Sequence, residues 1–158
     1  MYLKRIYPLR VIKIPVRGMI TGQANIKRGV DSVFSEYITV FTLGGLLYGA
    51  IEILWRGWTH WTMLICGGIC FTLIYCVDSV PMPLRRKCIL CAALVTTVEF
   101  LTGCIVNLRL GMMVWDYSAL PYNVLGQICP YFTLIWLVLS LPGLWLCRRL
   151  RKSLRASQ

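Results

Sequence analysis

Apolar residues gather into four long runs, at about 37–55, 61–80, 88–108 and 128–147, and charged residues fall almost wholly between or beyond them. Each run is about 19–21 residues long, which as a helix spans about 30 Å, the thickness of a bilayer's hydrocarbon core. In lipid every backbone N–H and C=O must be satisfied internally, which leaves helices or closed barrels. The runs lack the strict alternation of barrel strands. The pattern therefore predicts an all-α membrane protein, a four-transmembrane-helix antiparallel bundle with short connections. Residues 36–148 form its membrane domain, flanked by basic tails at 1–35 and 149–158. Pro81 and Pro83, followed by Arg85, Arg86 and Lys87, mark the turn between the second and third helices.

Composition agrees: 58% of the 158 residues are hydrophobic and mean hydropathy is +0.67. The net charge of +11 would suit nucleic acid, but its distribution suits a membrane better. Fifteen of the seventeen Lys and Arg residues lie before the first run, between the second and third, or after the fourth. Only Arg56 and Arg109 fall on the other side. The positive-inside rule then places both termini in the cytoplasm of a bacterial plasma membrane. The cations suit anionic lipid headgroups, and nucleic acid is not expected as a partner. Residues 1–20 carry charges and prolines in place of an unbroken apolar core, so no cleaved signal peptide is expected.

Against this background two acidic residues stand out. Glu52 lies near the end of the first run and Glu99 near the middle of the third. A carboxyl at such a depth costs about 2.5–3.5 kcal/mol on insertion scales. On the first helix Gly45, Gly49, Glu52 and Arg56 share a face. Gly45 and Gly49 form a GxxxG pattern that admits a neighbouring backbone, and Glu52 precedes Arg56 by four residues, the favourable order for an ion pair. The face is either a packing seam capped by an ion pair or part of an outward-facing polar pocket. On the third helix Thr96, Glu99 and Gly103 share a face, with Asn107 one turn beyond. Glu99 has no cation within a turn. It must be protonated, face water in a cavity, or pair across helices. Gly67 and Gly68 are further candidates for close helix packing.

The segment between the third and fourth runs is poor in charge and rich in aromatics. It is expected to fold back over the outer mouth of the bundle. Trp115, Tyr117 and Tyr122 suit an interface. Asp116, Asn123 and Gln127 either satisfy the loop's own backbone or join Glu99 in a binding site. His60, the one histidine, is a secondary candidate in the short outward loop. The eight cysteines lie in or beside the apolar runs without a converging set of nitrogen or sulfur ligands, so they are expected to act as small apolar fillers. No metal or cofactor is expected.

Gly44-Gly-Leu-Leu-Tyr-Gly-Ala-Ile-Glu52, followed by Arg56-Gly-Trp-Thr-His-Trp61, resembles the first hairpin of the CmpB-type family of small bacterial membrane proteins, called ABC-transporter permeases of type IV. Gly67-Gly68, Trp115-Asp-Tyr-Ser118, Pro121-Tyr-Asn123 and Gly126-Gln-Ile-Cys129 resemble its second half. The resemblance covers about residues 40–147. It implies a transport-related membrane protein that forms a homo-oligomer or joins a partner subunit. No nucleotide-binding P-loop occurs in the sequence, so this chain is not expected to hydrolyse ATP or to be an enzyme. The residues alone leave two other functions open, a membrane interaction or assembly factor and an intramembrane enzyme acting on a lipid.

Overall fold

The computed structural model describes residues 16–156, with side chains from residue 29 onward except that of Arg155. Lys4, Arg5, Arg10 and Lys13 of the basic tail lie outside the described residues. The elements are α1 (Val16–Arg56), α2 (Trp61–Ser79), α3 (Leu84–Gly103), a π-helical turn (Cys104–Arg109) that continues α3, and α4 (Pro130–Ala156). Among the described residues, four segments are long and apolar enough to cross a membrane: Gly29–Arg56, Trp61–Ser79, Leu84–Arg109 and Pro130–Leu154. Among the described residues there is no strand, only an isolated bridge between Val124 and Ile128.

α1 and the α3–π segment take in their apolar runs and overrun them, α2 stops one residue short of its run at Ser79, and α4 begins two residues late, at Pro130, and overruns its run at the basic end. Hydropathy marks where lipid is expected, whereas helical hydrogen bonding stops only at a breaker. Pro81 supplies one, holding the preceding Val80 extended at φ −77° and ψ 133° as the C-cap that closes α2. The chain divides into two compact units, Met1–Val33 and Phe34–Gln158. In the first, the expected tail is already helical from Val16, and Val30 and Val33 are exposed.

Within the second unit, glycines set how closely α1 meets α2. A Cβ on Gly45 would lie 2.5 Å from the Leu64 backbone oxygen, and one on Gly67 would lie 2.2 Å from Cβ of Tyr48. Gly44, Gly49 and Gly68 are similarly crowded, by Phe71, Leu64 and Phe41. The GxxxG seam is thus filled from within the chain. Gly45→Ala is expected to cost about 1–3 kcal/mol, because a backbone carbonyl cannot swing aside. Gly143→Ala is the control, since its Cβ would meet nothing nearer than 3.8 Å. Thermal unfolding in mild detergent should show a lowered midpoint for the first and none for the second. Equal midpoints would mean the seam is looser than drawn.

The interior is filled by small clusters along the bundle. Val40, Phe71, Tyr75 and Cys147 form one, Val77, Cys88, Cys91 and Leu144 another, and Cys66, Cys70 and Val95 a third. Cys66, Cys91 and Cys147 are fully enclosed, as expected of small apolar fillers. Leu54, Ile89, Leu134 and Val138 point outward, the surface a lipid-facing helix presents.

At one end of this unit Asp78 gathers three cations from two other helices. Its side chain is only 6% exposed. Arg148 Nε stands 3.0 Å from it, Lys87 Nζ 3.6 Å and Arg151 Nε 3.9 Å. Lys87 also donates to the Asp78 carbonyl. Arg151 donates to the Tyr75 carbonyl at 2.6 Å, and its guanidinium lies 3.8 Å from the centre of the Tyr75 ring. The Tyr75 hydroxyl in turn donates to Glu36. The carboxylate thereby ties α2, α3 and α4 together where the turn Val80–Pro83 leaves the bundle.

Candidate functional site

The last two turns of α1 place Glu52 and Arg56 on one face, and the ion pair expected from their spacing forms, with Arg56 Nη2 donating to Glu52 Oε1 at 2.7 Å. Thr59, in the short connection to α2, donates to Glu52 Oε2 at 2.5 Å. Arg56 Nη1 reaches the carbonyl of Val114 at 2.6 Å, and the guanidinium rests 4.1 Å from the centre of the Trp58 ring. Arg56 therefore fastens the long loop to the end of α1. His60 stands apart from this group. As N-cap of α2 it accepts from the Thr62 amide through Nδ1 and shares a 2.8 Å contact with the Thr62 hydroxyl.

Glu99, 3% exposed on α3, meets two neutral donors from other helices. The Tyr48 hydroxyl of α1 donates to Oε1 at 2.9 Å, and the Trp136 indole N–H of α4 donates to Oε2 at 2.6 Å. Those two rings stack on each other, centroids 5.6 Å apart. Of the three states the sequence allows for Glu99, the geometry supplies pairing across helices. One turn earlier, Thr96 bonds Thr133 of α4.

Asn107 organises the loop above. Its side chain accepts from the Val114 amide at 2.8 Å and donates to the Trp115 carbonyl at 3.0 Å and to Gln127 Oε1 at 2.8 Å. The π turn helps it do so, turning Val106 and Asn107 inward as a pair. Gln127 also donates to the Leu125 carbonyl, and the buried Trp115 indole donates to the Gln127 carbonyl. Gly103 is required here, because a Cβ would sit 2.5 Å from Gln127 Oε1. Asp116 accepts from both the amide and the hydroxyl of Ser118. Asn123 bridges the carbonyls of Ser118 and Leu120 to the Gly126 amide. Met113, Tyr122 and Leu125 hold left-handed backbone at φ 52°, 57° and 53°, a conformation that side chains with a Cβ adopt only when surrounding contacts fix it.

Below this loop lies a cavity of about 190 Å³. Glu52, Arg56, Trp115 and Tyr117, all expected in the site, line it together with Tyr48 and Trp136. Tyr117 stacks on Phe132 with centroids 4.4 Å apart, and burial pushes its phenol pKa above the ordinary range. Glu99 stands behind the Tyr48–Trp136 wall. Asp116, Asn123, Gln127 and His60 do not line the cavity; their polar atoms hold the loop and the α2 cap. Tyr48, Trp136 and the Asp78 cluster lie outside the site that the sequence predicts. An indole in the middle of an apolar run needs a partner for its N–H, and that was the available signal for Trp136.

Four helices able to cross a membrane, around a polar and aromatic cavity roofed by a self-bonded loop, define a multi-pass membrane protein. The chain belongs to the family described as "Putative ABC-transporter type IV", which it matches over residues 36–156. The match includes Glu52, Arg56, Glu99 and the whole loop. Comparison with curated proteins and with solved structures gives no match.

Proposed function

We propose that this chain is the membrane subunit of a small-molecule transport system and that the cavity between Glu52–Arg56 and the Tyr48–Trp136 wall is its binding site. The carrying observation is the position of Glu99. Among the described residues, this carboxyl within the lipid-crossing part of α3 touches no cation, only two donors that themselves line a cavity. A purely structural contact at this depth would not need an acid. In this reading the helices run antiparallel with both termini in the cytoplasm, because the Asp78 cluster and the basic C-terminal end of α4 lie on the cation-rich side. The loop roof and cavity then open outward. Any nucleotide hydrolysis comes from a partner chain.

An interaction or assembly factor would make its contacts through the basic cytoplasmic tails and the Gly45–Gly49 seam. That seam is occupied by α2, which leaves this reading the tails alone.

The test is flux in membrane vesicles from cells expressing the chain, which also supply partner chains. A panel of labelled organic cations, organic anions and amino acids is followed in the wild type, Glu52→Gln and Glu99→Gln. Expected is protein-dependent flux of one class, reduced about tenfold or more by Glu99→Gln, in line with the loss of a buried polar contact. Flux identical to vesicles without the protein for every class sinks the transport reading.

A further inference from the structure

Two cavities adjoin. The upper one, described above, carries six aromatic side chains: Tyr48, Trp55, Trp115, Tyr117, Phe132 and Trp136. The lower one, about 200 Å³, runs between α1 and α4 with α2 behind it. Tyr48, Ile51, Trp136 and Leu139 are walls common to both. Apart from these shared residues the lower lining is apolar, with residues such as Leu47, Phe71, Ile74 and Leu146, and its one serine, Ser140, donates to the Trp136 carbonyl. The combined space is aromatic and charged at one end and greasy at the other.

The charge of the upper end follows from its partners. Arg56 is the one cation in its lining and Glu52 the one acid, and they neutralise each other at 2.7 Å. Arg56 is further held by Val114 and Trp58. What remains is Glu99, against the back of two rings. A tyrosine or tryptophan that donates its O–H or N–H to a carboxylate gains electron density in its ring. The attraction of a ring face for a cation rises with that density. Glu99 thus acts on the cavity through Tyr48 and Trp136 without entering it.

We propose that this cavity binds an amphipathic organic cation, its quaternary or delocalised charged head among the aromatic rings and its apolar substituent in the lower cavity. Resting on the transport reading, this names the substrate class of that site. Glu99 is then a positioning residue, and Tyr48 and Trp136 are the rings that touch the ligand. The rival chemistry is an anion drawn to Arg56, whose Nε is buried without a hydrogen-bond partner.

The experiment uses the full chain in nanodiscs and follows tryptophan fluorescence during titration with hexyltrimethylammonium, with hexanesulfonate of equal chain length, and with tetramethylammonium, the head alone. Saturable quenching by hexyltrimethylammonium and none by hexanesulfonate is expected. Tyr48→Phe, which keeps the ring and removes the bond to Glu99, should weaken cation binding about tenfold, and Glu99→Gln should do the same. Because Glu99→Gln risks misfolding, Tyr48→Phe with an unchanged melting midpoint is the deciding variant. Gly143→Leu fills the lower cavity and should reduce hexyltrimethylammonium affinity to that of tetramethylammonium. Three outcomes overturn the inference: tighter binding of hexanesulfonate, unchanged cation affinity in Tyr48→Phe, or a signal no different from empty nanodiscs. Anion preference would overturn the substrate class and leave a transport role intact, whereas absence of protein-dependent flux for every class would strike the transport reading itself.

Discussion

Replacing Asp78 by Asn is expected to destabilise the bundle by about 3–5 kcal/mol, the range for removing one member of a buried ion group. The asymmetry of the cluster sets the size. One carboxylate, 6% exposed, faces Lys87 and Arg151, whose side chains are 9% and 19% exposed. Without the acid these cations stand desolvated and repel each other. Arg148, 49% exposed, can turn to solvent and contributes little. Unfolding in mild detergent measures the effect, and the double variant Asp78→Asn with Lys87→Met should recover a substantial part of the loss. A midpoint within a degree of wild type for Asp78→Asn would show that the cations reach water and that the cluster does not hold the helices.

The second large effect is expected at Asn107. Asn107→Leu leaves the Val114 amide, the Trp115 carbonyl and the Gln127 side-chain oxygen without their partner, at about 1–3 kcal/mol for each group left unsatisfied. Val114 and Gln127 are nearly fully buried, so water cannot replace the amide cheaply. The loss should be local. Limited proteolysis should cut between Leu110 and Cys129 much faster than in the wild type, while helix content by circular dichroism stays unchanged. If the cleavage rate is unaltered, the loop is held chiefly by Trp115 and by the Arg56–Val114 bond. A loop released in this way also uncovers the upper cavity, so stability and ligand retention are expected to fall together.

The parts of this structure that could be read from the chain are those set by local pattern. Bilayer thickness imposes a length on apolar runs, so four crossings could be counted from hydropathy. The Glu52–Arg56 pair follows from a spacing of four on one helix. The clusters of cations and the aromatic loop are likewise matters of sequence neighbourhood. What could not be read depends on which helices meet. Tyr48 and Glu99 are 51 positions apart and Trp136 is a further 37 from Glu99; nothing in either neighbourhood names the other. Asp78 carries no local signal, because its cations come from α3 and α4. Asp116, Asn123 and Gln127 looked alike as polar residues in an aromatic loop. Their assignment to loop hydrogen bonds depends on backbone turns at Met113, Tyr122 and Leu125, where left-handed φ carries no sequence signal in side chains of that size.

The widened turn at Cys104–Arg109 separates two requirements that an ordinary helix would couple. Its i→i+5 bond, Leu110 N–H to the Ile105 carbonyl, absorbs a residue without adding a full step of height. Deleting one residue there would keep α3 tall enough for the bilayer yet swing the carboxamide of Asn107 off the strand of loop it clasps. Chain length in this segment is therefore dictated by compass bearing and not by reach, and its tolerance of insertions and deletions should be far narrower than that of the lipid-facing stretches on either side.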